Sequence, residues 1–278
     1  MQAPGNTVRA WGLVAPALVW TLLFFVLPLV AMAALSLKSQ QGGVGVGNYF
    51  AFAESPVYRQ ALINSLEVTV IVTLLSILLA YPFAWILAEM VPVRWQRVAL
   101  LCAVLPFWTS YVVRSYSWLL VLAEKGVVNK ALLALRIVST PLQLANTRMG
   151  TIIGFVHFFV MLLTLTIFAN LKQVNPSYRK AAADLGADPA RAFLFIILPL
   201  TLPGIAVGAF LTFVLAIGDY ITPQILGGNN EILMPQLIMM QIGRRGDFPL
   251  ASALSLILMA VVTLAYVACA RWLKIERA

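Results

Sequence analysis

Charge is scarce in this chain. Asp, Glu, Lys and Arg make up 10% of its 278 residues while 62% are hydrophobic, against roughly 25% and 45–50% in an average soluble domain. That balance argues against a soluble globular domain and calls for burial in lipid. Cysteine is nearly absent. Cys102 and Cys269 stand in apolar runs with no pairing pattern around them, so they are expected as small buried residues and not as a disulfide or a metal site. No glycine run leads into Lys-Ser or Lys-Thr, which excludes a P-loop and leaves any ATP binding to another chain. Gly42, Gly43, Gly45 and Gly47 lack the spacing of a nucleotide fingerprint and mark a flexible turn in the loop 38–59. Short alternating strands and internal repeats are missing as well, which argues against a membrane barrel and, more mildly, against a carrier built from two similar halves.

What is present is a set of long apolar runs. A spanning helix needs about 20 mostly apolar residues, and residues 11–37, 62–88, 98–122, 150–171, 193–217 and 249–270 satisfy this. The expected fold is therefore all-α, a polytopic bundle of six transmembrane helices forming one domain over residues 1–278. Arg9 and Ala31-Met32-Ala33 give the first run some likeness to a signal peptide, but the run is too long, and an uncleaved span is expected. The net charge of +9 comes from basic residues spread over many loops, not from a stripe suited to nucleic acid, and lipid headgroups suffice to account for it. With the N-terminus inside, Arg9, Arg94, Arg97, Lys172, Arg179, Lys180, Arg191, Arg271, Lys274 and Arg277 are cytoplasmic; Lys125, Lys130, Arg136, Arg148, Arg244 and Arg245 fall opposite. The cytoplasmic segments are shorter, so charge density favours both termini inside.

The loop 172–194 carries the most information. Asn175 can cap a helix that starts at Pro176, Gly186 can end it, and Asp188-Pro189 restarts the chain. At about 100° per residue, Tyr178, Ala181, Ala182 and Leu185 share one face, with Arg179, Lys180, Ala183 and Asp184 on the other. Such a helix either lies flat among headgroups or docks into a groove on a soluble partner.

Lys180-Ala181-Ala182, Gly186 and Ile196-x-Leu198-Pro199 keep the spacing of the EAA loop and so resemble the permease subunits of bacterial ABC importers, with Lys180 in place of the usual glutamate. Asn48-Tyr49-Phe50, Ser55-Pro56-Val57-Tyr58, Asn64-Ser65-Leu66, Pro106-Phe107-Trp108-Thr109-Ser110 through Arg114-Ser115-Tyr116, Gly218-Asp219-Tyr220-Ile221-Thr222-Pro223 and Asp247-Phe248-Pro249-Leu250 are similar to the spermidine/putrescine branch, first-permease type. The resemblance implies a type I ABC importer permease fold in a bacterial inner membrane, with the loop as a cytoplasmic coupling helix and Tyr178, Lys180, Ala181, Ala182, Leu185, Gly186, Leu198 and Pro199 as its coupling residues. It also implies partners: a second related permease, two ATPase subunits that bind ATP and Mg, and an external solute-binding protein. The chain itself is then non-catalytic and binds no cofactor or metal. The resemblance implies a polyamine as solute, with an opine, an amino-acid-derived or another small organic solute as the alternative, since relatives in this branch handle these as well.

An ionisable group inside a span costs about 2.5–3.5 kcal/mol at its centre, which makes it a functional candidate. Glu67, Arg114, Asp219 and its neighbour Tyr220 qualify for the translocation pathway, with His157 beside them. Trp108, Tyr111, Ser115 and Trp118 follow at helical spacing, a stripe that either packs or offers π faces to a cationic amine. Arg114 is expected to be neutralised by Glu67, Asp219 or Glu124. Glu67, Asp219 and His157 would also suit an ion-coupled secondary transporter, and a non-transporting scaffold is a third reading; neither has a use for the Ala-Ala, Gly and Leu-Pro pattern.

Overall fold

A computed structural model describes residues 5–38, 43–228 and 231–275. Gly42, Arg277 and the two chain ends lie outside the described residues. The apolar runs fold as helices: α1 (Gly5–Thr21), α2 (Leu27–Ser36), α3 (Gly47–Glu54), α4 (Pro56–Trp85), α5 (Val93–Val104), α6 (Tyr111–Leu122) and α7 (Val127–Ala134). They continue with α8 (Arg148–Gln173), α9 (Ser177–Asp184), α10 (Pro189–Ala192), α11 (Leu198–Ile217), α12 (Ile221–Leu226), α13 (Met234–Met240) and α14 (Phe248–Ile275). Single π turns join α1 to α2, extend α4 through Ile86–Met90 and join α10 to α11. Extended pairing among the described residues is confined to an isolated bridge between Lys38 and Val44.

Among the described residues, five helices are long and apolar enough to cross a membrane: Leu13–Ser36, Pro56–Met90, Arg148–Gln173, Pro189–Ile217 and Phe248–Ala270. The expected third span, 98–122, is not one rod. Val93–Trp108 and Tyr111–Ala134 meet at 93°, and only when this bent pair is counted as one span does the number reach six. The cause is local. Pro106 tightens the end of α5 into a 3₁₀ turn, and Thr109 and Ser110 are extended, with ψ of 142° and 139°. The freed Pro106 carbonyl accepts from the Thr109 hydroxyl at 2.7 Å and from the Arg114 guanidinium at 3.2 Å. Cys102, expected inside, is exposed on α5, and Cys269 is half-buried.

The chain divides into two compact units. In the unit formed by Met1–Arg59 with Leu237–Ala260, α3 is tied to the end of α2. Asn48 donates to the carbonyls of Ser36 at 2.7 Å and Lys38 at 2.9 Å, and the Tyr49 and Ser36 hydroxyls bond at 2.8 Å.

The unit formed by Gln60–Gln236 with Val261–Ala278 has its core where α4, α8 and α11 meet. Ala80, Ala84 and Ala88 recur every fourth residue on α4 and pack against Leu163, Ile167 and Leu171 of α8 and Ile205 of α11. Small side chains permit this close approach, which in lipid must come from packing because the solvent is as apolar as the core. Gly208 on α11 serves the same end: a Cβ there would sit 2.8 Å from Leu163 Cδ2 and 3.3 Å from Thr166 Cγ2. Leu78 and Phe195, by contrast, stand exposed, as lipid-facing side chains do.

α4 and α8 run parallel. At the start of α8 Arg148 meets Glu67, about three turns into α4, at 2.7 Å; near the ends of both helices Lys172 Nζ donates to the Ala88 carbonyl at 2.8 Å. Glu67 and Glu89 are 22 residues apart, about 33 Å of helix, close to the roughly 30 Å of a bilayer core. Charged contacts thus bracket the apolar length at both ends.

Candidate functional site

At the end of α8 the backbone turns out of the bundle into α9. Asn175 Oδ1 accepts from the Ser177 N–H at 2.9 Å, and the helix begins one residue after Pro176. It ends at Gly186 in the left-handed region, φ 81°. There the Gly186 N–H reaches the Ala183 carbonyl and the Ala187 N–H the Ala182 carbonyl, both at 2.9 Å, the pair that defines a Schellman end. Asp188 then caps α10 by accepting from the Arg191 N–H at 2.8 Å.

The sequence pattern placed Tyr178, Ala181, Ala182 and Leu185 on one face, and the structure divides them. Tyr178 is 53% exposed and Leu185 89%, with Ala181 also outward, whereas Ala182 is 3% exposed and seated in the chain's own bundle. Beside Ala182, Arg179 makes a two-pronged ion pair with Glu89 and lies 5.5 Å from the Trp85 ring. Donation of its hydrogen bonds to the Glu89 carboxylate, whose charge adds to the effect, holds the Arg179 guanidinium still more firmly protonated. Lys180 is exposed and forms no ion pair among the described residues. Leu198 and Pro199 stand apart from this surface, at the start of α11, where Leu198 packs against the α4–α8–α11 core.

A second group of polar side chains gathers where α6, α8 and α12 pack. Arg114 is 9% exposed, its guanidinium carbon 4.6 Å from the Tyr111 ring centre and 4.4 Å from that of Phe158. It makes no ion pair with Glu67, Asp219 or Glu124 among the described residues. Aromatic faces and the Pro106 carbonyl contact the cation directly, and Asp219 acts on it electrostatically without an ion pair, while Glu67 is drawn to Arg148, which also lies 3.6 Å from Glu231. Asp219 Oδ1 accepts from the Ile221 N–H at 2.7 Å and so starts α12; its carboxylate interacts with Tyr111 and Arg114. The chain breaks at Gly218–Tyr220, before Pro223, which sits buried inside α12.

A cavity of about 520 Å³ opens beside Arg114, lined also by Pro106, Thr109, Ser117, Trp118 and His157. Trp118 meets His157 edge-on at 5.3 Å, and His157 Nδ1 is buried without a hydrogen-bond partner among the described residues. The expected stripe is therefore cut. Tyr111, Ser115 and Trp118 share α6, but Trp108 lies before the break and is 79% exposed. Glu67 stands apart from the group, half exposed at the end of the bundle.

Over residues 68–274 the sequence matches the family of binding-protein-dependent transport system inner membrane components. The chain belongs to that family. Among relatives of this permease, the spermidine/putrescine transport system permease protein PotB of Haemophilus influenzae is 31% identical, covering 89% of each chain. The PotB protein of Escherichia coli is 31% identical over 88% of this permease and 90% of its own length. Escherichia coli YdcU, an inner membrane ABC transporter permease protein, is 32% identical over 76% of this permease and 70% of its own length. In solved structures, the fold recurs in a bacterial ABC transporter that imports the acidic polysaccharide alginate, TM-score 0.76, 18% identity, covering 96% and 98% of the two chains. A second alginate transporter structure, in complex with a pentasaccharide-bound periplasmic protein, gives TM-score 0.78 at 17% identity over 95% and 93%. The fold is thus that of a type I ABC importer permease, and the permease is a transport component of the inner membrane.

Sequence reasoning missed Glu89, Trp85 and Phe158. Glu89 is a lone acid at the end of a long apolar run, a signal that was available. Phe158 is one of many phenylalanines, and only its packing sets it apart.

Proposed function

We propose that this permease carries a small organic solute, a polyamine of the spermidine/putrescine kind, across a bacterial inner membrane by alternating access driven by separate ATPase subunits. The observation that carries the reading is the outward face of α9. A leucine 89% exposed, at the end of a helix whose opposite side is pinned to the bundle, suits an apolar cleft on a soluble partner better than a headgroup layer. In this reading α9 and both termini are cytoplasmic, two ATPases bind ATP and Mg, a second related permease completes the pathway, and an external binding protein delivers the solute. This chain makes or breaks no covalent bond.

The solute path runs past the two breaks, between α5 and α6 and between α11 and α12. Irregular backbone at membrane depth is tolerated only where it is buried in protein or lines a cavity. Asp219 with Tyr220 and the rings of Tyr111 and Trp118 would receive an ammonium group, while Arg114 is held aside by Tyr111 and Phe158. The names of the PotB relatives favour the polyamine.

A second reading, an opine or other amino-acid-derived solute, is favoured by Arg114, because the cavity beside it has no acidic residue in its lining. The test is uptake of labelled spermidine, with and without an amino-acid-derived competitor, by the complex reconstituted in vesicles. Spermidine import that falls sharply in Asp219→Asn supports the polyamine. Import of the carboxylated solute alone refutes it. For orientation, Ser177→Cys in a background lacking Cys102 and Cys269 should resist an impermeant reagent outside sealed cells; labelling from outside refutes a cytoplasmic α9.

A further inference from the structure

The coupling face of α9 points outward, so a push on it must be passed inward by whatever holds its other side. Arg179 and Ala182 do this. Arg179 engages Glu89 with both guanidinium arms. Its cation rests over Trp85, whose ring meets Phe193 edge-on at 4.9 Å. Ala182 is buried beside them, and Lys172 ties the end of α8 to the Ala88 carbonyl. Glu89 belongs to the π turn that ends α4, and Phe193 to the one between α10 and α11. α9 is thus fastened to the end of α4, and the Trp85–Phe193 contact joins that end to the turn leading into α11.

We propose that the Glu89–Arg179 ion pair is the latch through which movement of α9 is transmitted to α4, making both residues positioning residues for energy coupling. The inference rests on the reading of α9 as the docking helix. It assigns the two faces separate tasks: Tyr178, Ala181 and Leu185 meet the ATPase, while Arg179 and Ala182 grip the permease. Both side chains of the pair are only partly exposed, 35% and 23%, and the paired arms fix direction as well as distance. A loosened α9 would still dock, but its displacement would be absorbed in the loop and not delivered to the spans. Lys180 is not part of the grip.

The test uses the reconstituted complex and reads solute moved per ATP hydrolysed, together with capture of the ATPase. Glu89→Gln and Arg179→Gln should each lower solute moved per ATP about five-fold, with the ATPase still captured. The exchanged pair Glu89→Arg with Arg179→Glu should regain most of it. A chemical version avoids folding defects. Arg179→Cys, purified in a background lacking the native cysteines, should be poorly coupled, and attaching an aminoethyl group through a disulfide should restore the cation and the coupling, whereas an ethyl group should not. Wild-type stoichiometry in the single variants, or equal behaviour of the aminoethyl and ethyl adducts, would overturn the latch. Leu185→Asp separates this from the underlying reading. If that variant still captures the ATPase, α9 is not the docking helix; if it loses capture while Glu89→Gln stays fully coupled, only the latch is wrong.

Discussion

Truncating Leu185 tests the docking surface with little disturbance to the permease. The side chain is 89% exposed at the C-cap of α9, so the isolated permease loses almost no packing in Leu185→Ala. Surface changes of that sort usually move stability by no more than about 0.5 kcal/mol. In the assembled importer the same leucine would be buried. Full burial of a leucine contributes about 1.5–3 kcal/mol, and removing all but its first side-chain carbon should forfeit about 2 kcal/mol of that. The expected result is a weakening of ATPase binding by about 30-fold, entirely in the affinity between subunits. The assay is titration of purified ATPase against the permease in lipid nanodiscs, beside a thermal melt of the permease alone. An unchanged Kd for Leu185→Ala would refute the argument, because an apolar side chain buried at an interface cannot be removed without loss. A lowered Tm would show that the leucine has a role inside the permease that its exposure denies.

Gly186→Val should impair solute-stimulated ATP hydrolysis through backbone strain alone. A side chain at φ 81° meets open space yet incurs about 1–2 kcal/mol, so Gly186→Asn should be milder in the same assay and equal damage would point to a steric cause. Ala181→Trp should lower ATPase capture without lowering the permease Tm. Ala182→Trp should lower both, since overpacking a seat that is 3% exposed costs about 1–3 kcal/mol; matched effects on capture and Tm from the two variants would contradict the division of faces. Arg114→Lys keeps the charge but, without a planar fork, cannot meet both rings and also reach the Pro106 carbonyl. A loss of about 1–3 kcal/mol should appear as a lower Tm in detergent, and an unchanged Tm would mean that charge alone mattered.

Residues that act through their own backbone were readable in advance. Gly186 as a helix terminator, Asp188 as a cap and the apolar length of the spans follow from preferences that neighbours in sequence express. The Arg114 expectation met a different geometry. Composition counts carboxylates and cations but carries no information about π faces, and the cation contacts two rings and a carbonyl directly while Asp219 acts on it only electrostatically, without an ion pair. Ala182 shows the same limit in another form: helical periodicity groups residues by angle, yet only the docking of α9 on Trp85 and Glu89 decides which edge of the apolar face turns inward.

By itself the sequence determined a lipid-embedded helical bundle, the number and order of its apolar runs and the short helix that leaves it, because hydrophobic length and cap chemistry are local properties. The tertiary structure alone decided that the third run is bent by 93°, that α4 and α8 run parallel with charged contacts at both ends, and that Glu67 belongs to Arg148 and Glu89 to Arg179. Each of those pairings joins residues 81 or 90 positions apart, and which partner a side chain reaches over such a distance depends on how helices pack, a property that no local pattern encodes.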